Sequence, residues 1–383
     1  MSDRERERND ASRRTFIAGI GAAGLAGVAG CVGEGADDAS GGSTTGGNGG
    51  SSGSDGEHAA SFSDFDPDNP NESLPQPTSV LFDHDLEFGS VEDFTEAETI
   101  DEPRYGGDVW ERPEDESEWL NPDTLQYTFG AGEDSVQIYA DALEPLMENI
   151  EAETGKEVEY RGLDSHAAMT EAMRSDRLHV ARAGVGNAPF IVNLAGAVPF
   201  GMMVGDHAGY RMWSIARTGN EDVNSVEDFE GGVIAHKTET SNSGHFAPMA
   251  LLPEEFGVDP GEDYEIRFPG QHEDSARGVL FGDYDGANVS ATSYKRIVPD
   301  EIDPADLKAL WMSPPFPNAP AVYNHKLHPD IVEGVKRAHL DYDYEGTSIE
   351  EVGGRYRWIE IDYATHYDIV LAFQEAQNIE YEQ

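Results

Sequence analysis

The sequence predicts an α/β protein of two lobes joined by a hinge, and three observations carry that expectation. From Asp123 onward, strand-like and helix-like segments alternate, the texture of a sheet with parallel neighbours. Residues 217–315 repeat that texture as an insertion, so lobe 1 takes 123–216 with 316–383 and lobe 2 takes 217–315. A proline-rich segment, 311–323, then returns the chain to the first lobe. Two lobes of roughly 100–150 residues each match this length of chain.

Each element has a local reason. Residues 125–129 read as the first strand. Ser135 stands where it would cap a helix with Val136, Tyr139, Leu143, Leu146, Met147 and Ile150 along one side. Residues 158–160 make a short strand, and Ser165 caps a helix carrying Met169, Ala172 and Met173. A third strand, 180–183, runs into the small apolar stretch 184–192. Residues 210–217 alternate like a strand that leads out of the lobe, which places the hinge near 214–218 and 312–322. In lobe 2, Ser225 begins a capped turn, Val233-Ile234-Ala235 is a strand, and Ala287-Asn288-Val289-Ser290 is another. Residues 328–341 and 363–377 read as two closing helices.

Ahead of these lobes the chain has no such order. Residues 1–31 contain Arg13-Arg14 before a modest Gly/Ala-rich apolar run that ends Val28-Ala29-Gly30-Cys31. Twin arginines in that position mark the Tat export route, and the run is short for a membrane-spanning helix. Val-Ala-Gly-Cys resembles a lipobox, which makes Cys31 a lipid anchor on the outer face of the cytoplasmic membrane. It is the only cysteine, so no disulfide forms within the chain. Residues 32–60 are a Gly/Ser-rich tether. Residues 61–122 form an acidic, irregular extension, but Phe62, Phe65, Phe82, Phe88, Tyr105, Trp110 and Trp119 give it aromatics to dock on the main body.

Charge excludes one class of partner. There are 75 acidic and 25 basic residues, a net charge of −50, and such a surface repels nucleic acid. The hydrophobic fraction of 38% still suffices for a real core. Adaptation to multimolar salt explains both facts. At about 1 M salt the Debye length is roughly 3 Å, so an anion can be recognised there only by short-range contacts.

The loop at 238–244 offers such contacts. A helix with Phe246, Met249, Ala250 and Leu251 on one side begins at Ser241-Asn242-Ser243-Gly244. Its free N–H groups and positive dipole end, ringed by hydroxyls including Thr240, make an anion site without lysine or arginine. An ordinary N-cap uses the same residues. Downstream stand Gly270-Gln271-His272-Glu273, Gly282-Asp283-Tyr284-Asp285-Gly286-Ala287 and Trp311-Met312-Ser313-Pro314-Pro315-Phe316-Pro317. With the Ser-rich loop and Pro248, these four motifs in order resemble the phosphate/phosphite/phosphonate substrate-binding proteins of ABC importers. The resemblance covers roughly residues 126–381. It implies a type II periplasmic-binding-protein-like fold whose lobes close on a small oxyanion by a hinge. It also implies delivery to an ABC permease, with no cofactor and no metal; we expect a monomer.

The resemblance places His272 against the anion, and makes Ser241, Asn242, Ser243, Gly244 and Thr240 donors from one lobe. Ser135 from the other lobe, with Ser290 and Thr292 near the same cleft, completes the expected ligand set. Glu273 reads as a dipole partner in the first turn of its helix. Family members that hold an aminoalkyl phosphonate use acids at positions that correspond here to Thr292 and Ala319, and an aromatic near Ala183. None is retained, so a phosphate, phosphite or methylated phosphonate is expected rather than an amine. Among enzyme signatures, His-Glu-x-x-His, Gly-x-Ser-x-Gly, the P-loop and the dinucleotide fingerprint are all missing. His325 and His328 lack a third metal ligand. The alternatives are a surface-anchored phosphoester hydrolase and a receptor for another anion such as a sulfonate.

Overall fold

A computed structural model describes residues 62, 64–130, 136–296, 302–350 and 354–381. Two six-stranded mixed sheets carry the fold, both within one compact unit, His58–Gln383. The lobe 2 sheet contains β1 (Gln76–Pro77), β6 (Met212–Arg217), β7 (Val233–Ala235), β8 (Glu265–Arg267), β9 (Gly286–Ser290) and β10 (Leu307–Met312). Their order is β1-β10-β6-β9-β7-β8. The lobe 1 sheet contains β2 (Thr124–Phe129), β3 (Glu157–Tyr160), β4 (Val180–Arg182), β5 (Ala197–Val204), β11 (Pro320–Asn324) and β12 (Arg357–Glu360). Their order is β12-β5-β11-β4-β2-β3.

In each sheet three strands run parallel: β2 with β3 and β4, and β7 with β8 and β9. Their carboxyl ends lead into Gly130, Arg161, Ala183, His236, Phe268 and Ala291, the edge where open α/β sheets bind ligands. Burial explains the strand sequences. β9 is buried along its whole length and β6 except at Arg217, as sheet interiors covered on both faces require.

Helix boundaries follow local chemistry. Ser165 caps His166–Arg174 by accepting the Ala168 N–H at 3.1 Å. The helix expected from Ser135 to Ile150 is two helices, Val136–Ala142 and Glu144–Thr154. Pro145 explains the restart, because its missing N–H costs nothing in a first turn. Ser135 itself lies outside the described residues. At the other end, Gly155 closes the second helix with φ +66°, a left-handed cap that a Cβ would strain.

Two sequence expectations need correcting. β6 pairs with β9 and β10, so 212–217 belongs to lobe 2 and the first crossing lies at 205–211 rather than 214–218. A strand signal tells that a segment pairs but not with which sheet. The second crossing spans 313–319, between β10 and β11. The two crossings bind each other: Tyr210 and Phe316 exchange both backbone bonds, at 3.1 and 2.8 Å. The assignment of 316–383 to lobe 1 also fails at its end. The helix Asp368–Ala376 buries Val370 and Leu371 with lobe 1 residues but Phe373 with Phe246 and Phe316, so it straddles the lobes.

The acidic extension is a strap rather than a loose segment. Gln76 and Pro77 add β1 to the lobe 2 sheet opposite Ala309 and Lys308. Leu81 is fully buried among Trp213, Val289 and Met312. Gly89 bridges to Ala208 in the first crossing, and Arg211 donates to the carbonyls of Phe88 and Ser313 at 2.9 and 2.8 Å. Further on, Tyr105 donates to the Ile379 carbonyl, and Leu120 bridges to Leu327. The strap therefore touches lobe 2, the hinge and lobe 1 in turn.

Candidate functional site

The site grows from the carboxyl end of β7. After His236 and Lys237 the chain turns at Thr238, whose carbonyl accepts the Ser241 N–H at 3.0 Å. Ser241 then caps the helix, its Oγ accepting the Gly244 N–H at 3.1 Å. The first turn, Asn242–Phe246, is wound as a π-helix, with the Ser241 carbonyl accepting from both His245 and Phe246 at 3.0 Å. None of these bonds uses the N–H of Asn242 or Ser243, which remain the free donors of a helix start. A π turn of this kind widens the helix mouth and commonly marks a functional site. Gly244 must be glycine, because a Cβ there would sit 2.6 Å from the Lys237 Cβ and 2.9 Å from the Lys237 amide nitrogen.

Asn242 and Ser243 are buried, at 6% and 2% exposure, although both are polar. Asn242 donates through Nδ2 to the Tyr210 phenol at 3.2 Å, and the Ser243 hydroxyl reaches the same phenol. Burial pushes that phenol up to about 12, and the two side chains partly offset the effect. Asn242 Oδ1 is buried with no partner among the described residues. Opposite lies the turn Val185–Asn187 of lobe 1, where a Cβ on Gly186 would stand 3.2 Å from the Thr240 carbonyl. Gln374 fixes the Gly186 carbonyl from below at 2.9 Å. The lobes thus meet at this loop.

His272 begins the helix His272–Phe281 and is 5% exposed. Its Nδ1 accepts the Ser290 backbone N–H at 3.1 Å, so the proton of the neutral ring resides on Nε2. Burial first, then the cations Lys237 and Arg296, lower its pKa to about 3. His272 is therefore a neutral, single N–H donor at any physiological pH. Ser290 is buried and caps the helix Ala291–Lys295, and its Oγ lies 3.1 Å from Thr292 Oγ1. Glu273 pairs with Arg296 at 3.2 Å.

The expectation of an anion site without basic groups is corrected at its border. Lys237 sits directly against Gly244, and its charge acts on His272. Burial lowers the Lys237 pKa, with Glu273 opposing and Arg296 reinforcing that effect. A lysine after a buried strand is a common solvent-facing residue, so its position gave no signal. Of the other residues singled out in the sequence, Asn242, Ser243, Gly244, His272, Ser290 and Thr292 assemble at one edge of lobe 2. Ser241 spends its acceptor as a cap, and Thr240 is exposed, presenting its carbonyl rather than a buried hydroxyl. Tyr210 went unnoticed because its role arises at the crossing.

This geometry has relatives. Residues 132–367 match the family model described as ABC transporter, phosphonate, periplasmic substrate-binding protein. The chain belongs to this family. It is accordingly the extracytoplasmic substrate-binding component of an ABC importer and not an enzyme. The binding protein is 27% identical over 248 residues to the phosphate-import protein PhnD of Mycolicibacterium smegmatis, covering 61% of this chain and 75% of that one. Solved structures share its fold. One is PhnD1 from Prochlorococcus marinus in complex with methylphosphonate, with TM-score 0.53 and 15% identity over 67% of this chain and 99% of that one. Another is a binding-protein component of an ABC phosphonate transporter from Pseudomonas aeruginosa, with TM-score 0.52 and 20% identity over 66% and 87%. The two-sheet architecture with paired crossings is thus the type II binding-protein fold.

Proposed function

We propose that this binding protein captures a phosphorus oxyanion without an ammonium group, such as phosphate, phosphite or a phosphonate, at the Asn242–Ser243–His272 corner. The carrying observation is a helix mouth with two buried polar side chains beside a histidine held as a neutral N–H donor. Donors that are buried and fixed before binding cost no reorganisation and survive high salt. Ser290 and Thr292 border the same corner. No acid stands at Thr292 or at Ala319, which is itself 5% exposed, so an ammonium group would be buried without a counter-charge. The unpaired Asn242 Oδ1 suits a P–OH donor, which favours a singly protonated oxyanion.

Two substitutions test the corner. Ser243→Ala removes one hydroxyl, and His272→Asn retains an acceptor for Ser290 while removing the Nε2 donor. Each is expected to weaken phosphate or methylphosphonate binding by about 1–3 kcal/mol in calorimetric titration. An unchanged affinity for both variants would move the ligand elsewhere. 2-Aminoethylphosphonate is expected not to bind the wild type.

We also place the protein outside the cell, tethered by Cys31 after Tat export, as a monomer in a salt-rich environment. What supports this is the Arg13-Arg14 and Val-Ala-Gly-Cys pattern, the Gly/Ser tether and the net charge of −50. Cys31 lies outside the described residues, among which no helix is long and apolar enough to cross a membrane. In the native host, Cys31→Ser is expected to release the protein from membranes into the medium. Retention of the variant on membranes would refute the anchor.

A further inference from the structure

The lobe 1 side of the junction carries arginines that the oxyanion corner does not need. Arg182 ends β4, an interior strand between β2 and β11. Its guanidinium lies over the Phe129 ring at 4.7 Å, and its Nε is buried with no hydrogen-bond partner among the described residues. Among the described residues, no carboxylate lies within 4.0 Å of it, in a chain with three acids for every base. Arg355 precedes β12, where the Tyr356 N–H bonds the Val204 carbonyl beside the first crossing. It too has no carboxylate partner among the described residues.

Both arginines stand on the carboxyl-end side of the lobe 1 sheet: Arg182 is the last residue of β4, and Arg355 lies against Gly205, just past the end of β5, which runs in the same direction as β4. Burial first, then the charges of Arg182 and, from lobe 2, Arg296, lower the Arg355 pKa to about 10. Arg182 also acts on the Tyr367 phenol, which in turn senses Tyr210, the partner of Asn242. Tyr210 is held by Asn242 of the oxyanion corner, at 3.2 Å. Two like charges on lobe 1 without carboxylate partners among the described residues repel each other, and an anion between them relieves that repulsion. A half-buried arginine whose Nε has no partner among the described residues is matched by a planar, bidentate anion. An oxyanion held by Ser243 and His272 does not by itself call for Arg182 and Arg355.

We propose that Arg182 and Arg355 form a second anion subsite, so that the preferred ligand is a phosphonate or phosphate ester bearing a second acidic group such as a carboxylate. This rests on the oxyanion reading of the Asn242–Ser243–His272 corner. The second acid takes the place that an ammonium occupies in an aminoalkyl ligand, and it neutralises the arginines as the lobes close. Lys would serve less well than Arg here, because it lacks the planar fork.

Calorimetric titration at molar salt with phosphate, methylphosphonate and phosphonoacetate tests the proposal. Phosphonoacetate is expected to bind at least about tenfold tighter than methylphosphonate, from the bidentate contact. Arg355→Gln and, separately, Arg182→Gln should compress that ratio towards one. Arg355→Gln remains informative if Arg182→Gln fails to fold, since Arg355 lies outside the strand interior. Equal binding of the two phosphonates would overturn the second subsite while leaving the oxyanion corner intact. A preference that persists in the Arg355 variant, and in the Arg182 variant where that folds, would also overturn it. Failure of all three ligands to bind would overturn the oxyanion reading itself, and the subsite with it.

Discussion

Replacement of Lys295 by alanine is expected to destabilise the protein by about 3–5 kcal/mol, the cost of stranding a buried partner charge. Glu87 of the strap is fully buried, and its Oε1 accepts from the Lys295 ammonium. Its Oε2 is buried with no partner among the described residues. Burial pushes the Glu87 carboxyl up, and the hydrogen bond and charge of Lys295 pull it back down. The ammonium also lies 5.4 Å from the Phe82 ring and 5.8 Å from Phe88, which fixes its approach. Without it, Glu87 must take up a proton or leave its pocket. Leaving would pull the strap away from Arg211, whose side chain bonds Phe88 and Ser313. Lys295 closes the helix that Ser290 caps, so ligand affinity should fall along with stability. The joint replacement of both residues by methionine should recover most of the loss, because an apolar pair needs no partner. Denaturant titration of the three variants decides the matter. Lys295 is 41% exposed along its side chain, so a loss below about 1 kcal/mol would show that solvent screens the pair as at an ordinary surface.

This contact also shows where sequence reading ends. Strands β2, β3, β4, β7 and β9 were legible within a residue, because each is a short run of strand-forming residues, apolar or alternating, between turn or cap residues. The helix start at Ser241 and the Gly-x-His-Glu placement of His272 were legible as motifs, but the neutral state of His272 was not, because it depends on the Ser290 N–H and on burial. The strap was not. Gln76-Pro77 has no strand period, and it pairs only because β10 presents an open edge more than two hundred residues later. Arg182 was visible as an arginine inside the strand Val180-Ala181-Arg182, which is the kind of exception that should mark a site. Its place on the same side of the sheet as Arg355 comes from strand pairing, which is invisible to local pattern. The misplaced crossing has the same origin: periodicity reports that 212–217 is a strand, while the partner strands β9 and β10 decide its lobe.

Acidification should unfold the protein well before its carboxylates are protonated. Among the described residues burial lowers the pKa of seven histidines, and four of them, His236, His245, His272 and His339, furthest. His339 is fully buried between the Tyr127, Phe200 and Trp358 rings, with Nδ1 on the Val335 carbonyl at 2.7 Å and Nε2 unpaired. Burial lowers its pKa to about 4. His236 and His245 share one contact through their Nδ1 atoms at 3.0 Å, and His236 reaches the Tyr264 phenol at 2.8 Å. Burial holds His245 at about 4 and His236 well below its ordinary value, and His272 is at about 3. The sign follows from proton uptake. In the unfolded chain these rings protonate near pH 6.5, while the folded protein refuses the proton until about pH 4. Stability is therefore full above about 6.5 and falls as pH drops towards 4, by about 3 kcal/mol for a ring with His339's shift. Several such rings together rival the net stability of an ordinary domain. Protonation of carboxylates relieves repulsion in so acidic a chain, which opposes the loss only at lower pH. Thermal melts from pH 8 to 4 should show this slope, and His339→Phe should reduce it by about one proton. A melting temperature that stays flat from pH 7 to 5 would mean that these rings accept protons without unfolding, and that the buried histidines are reached by water.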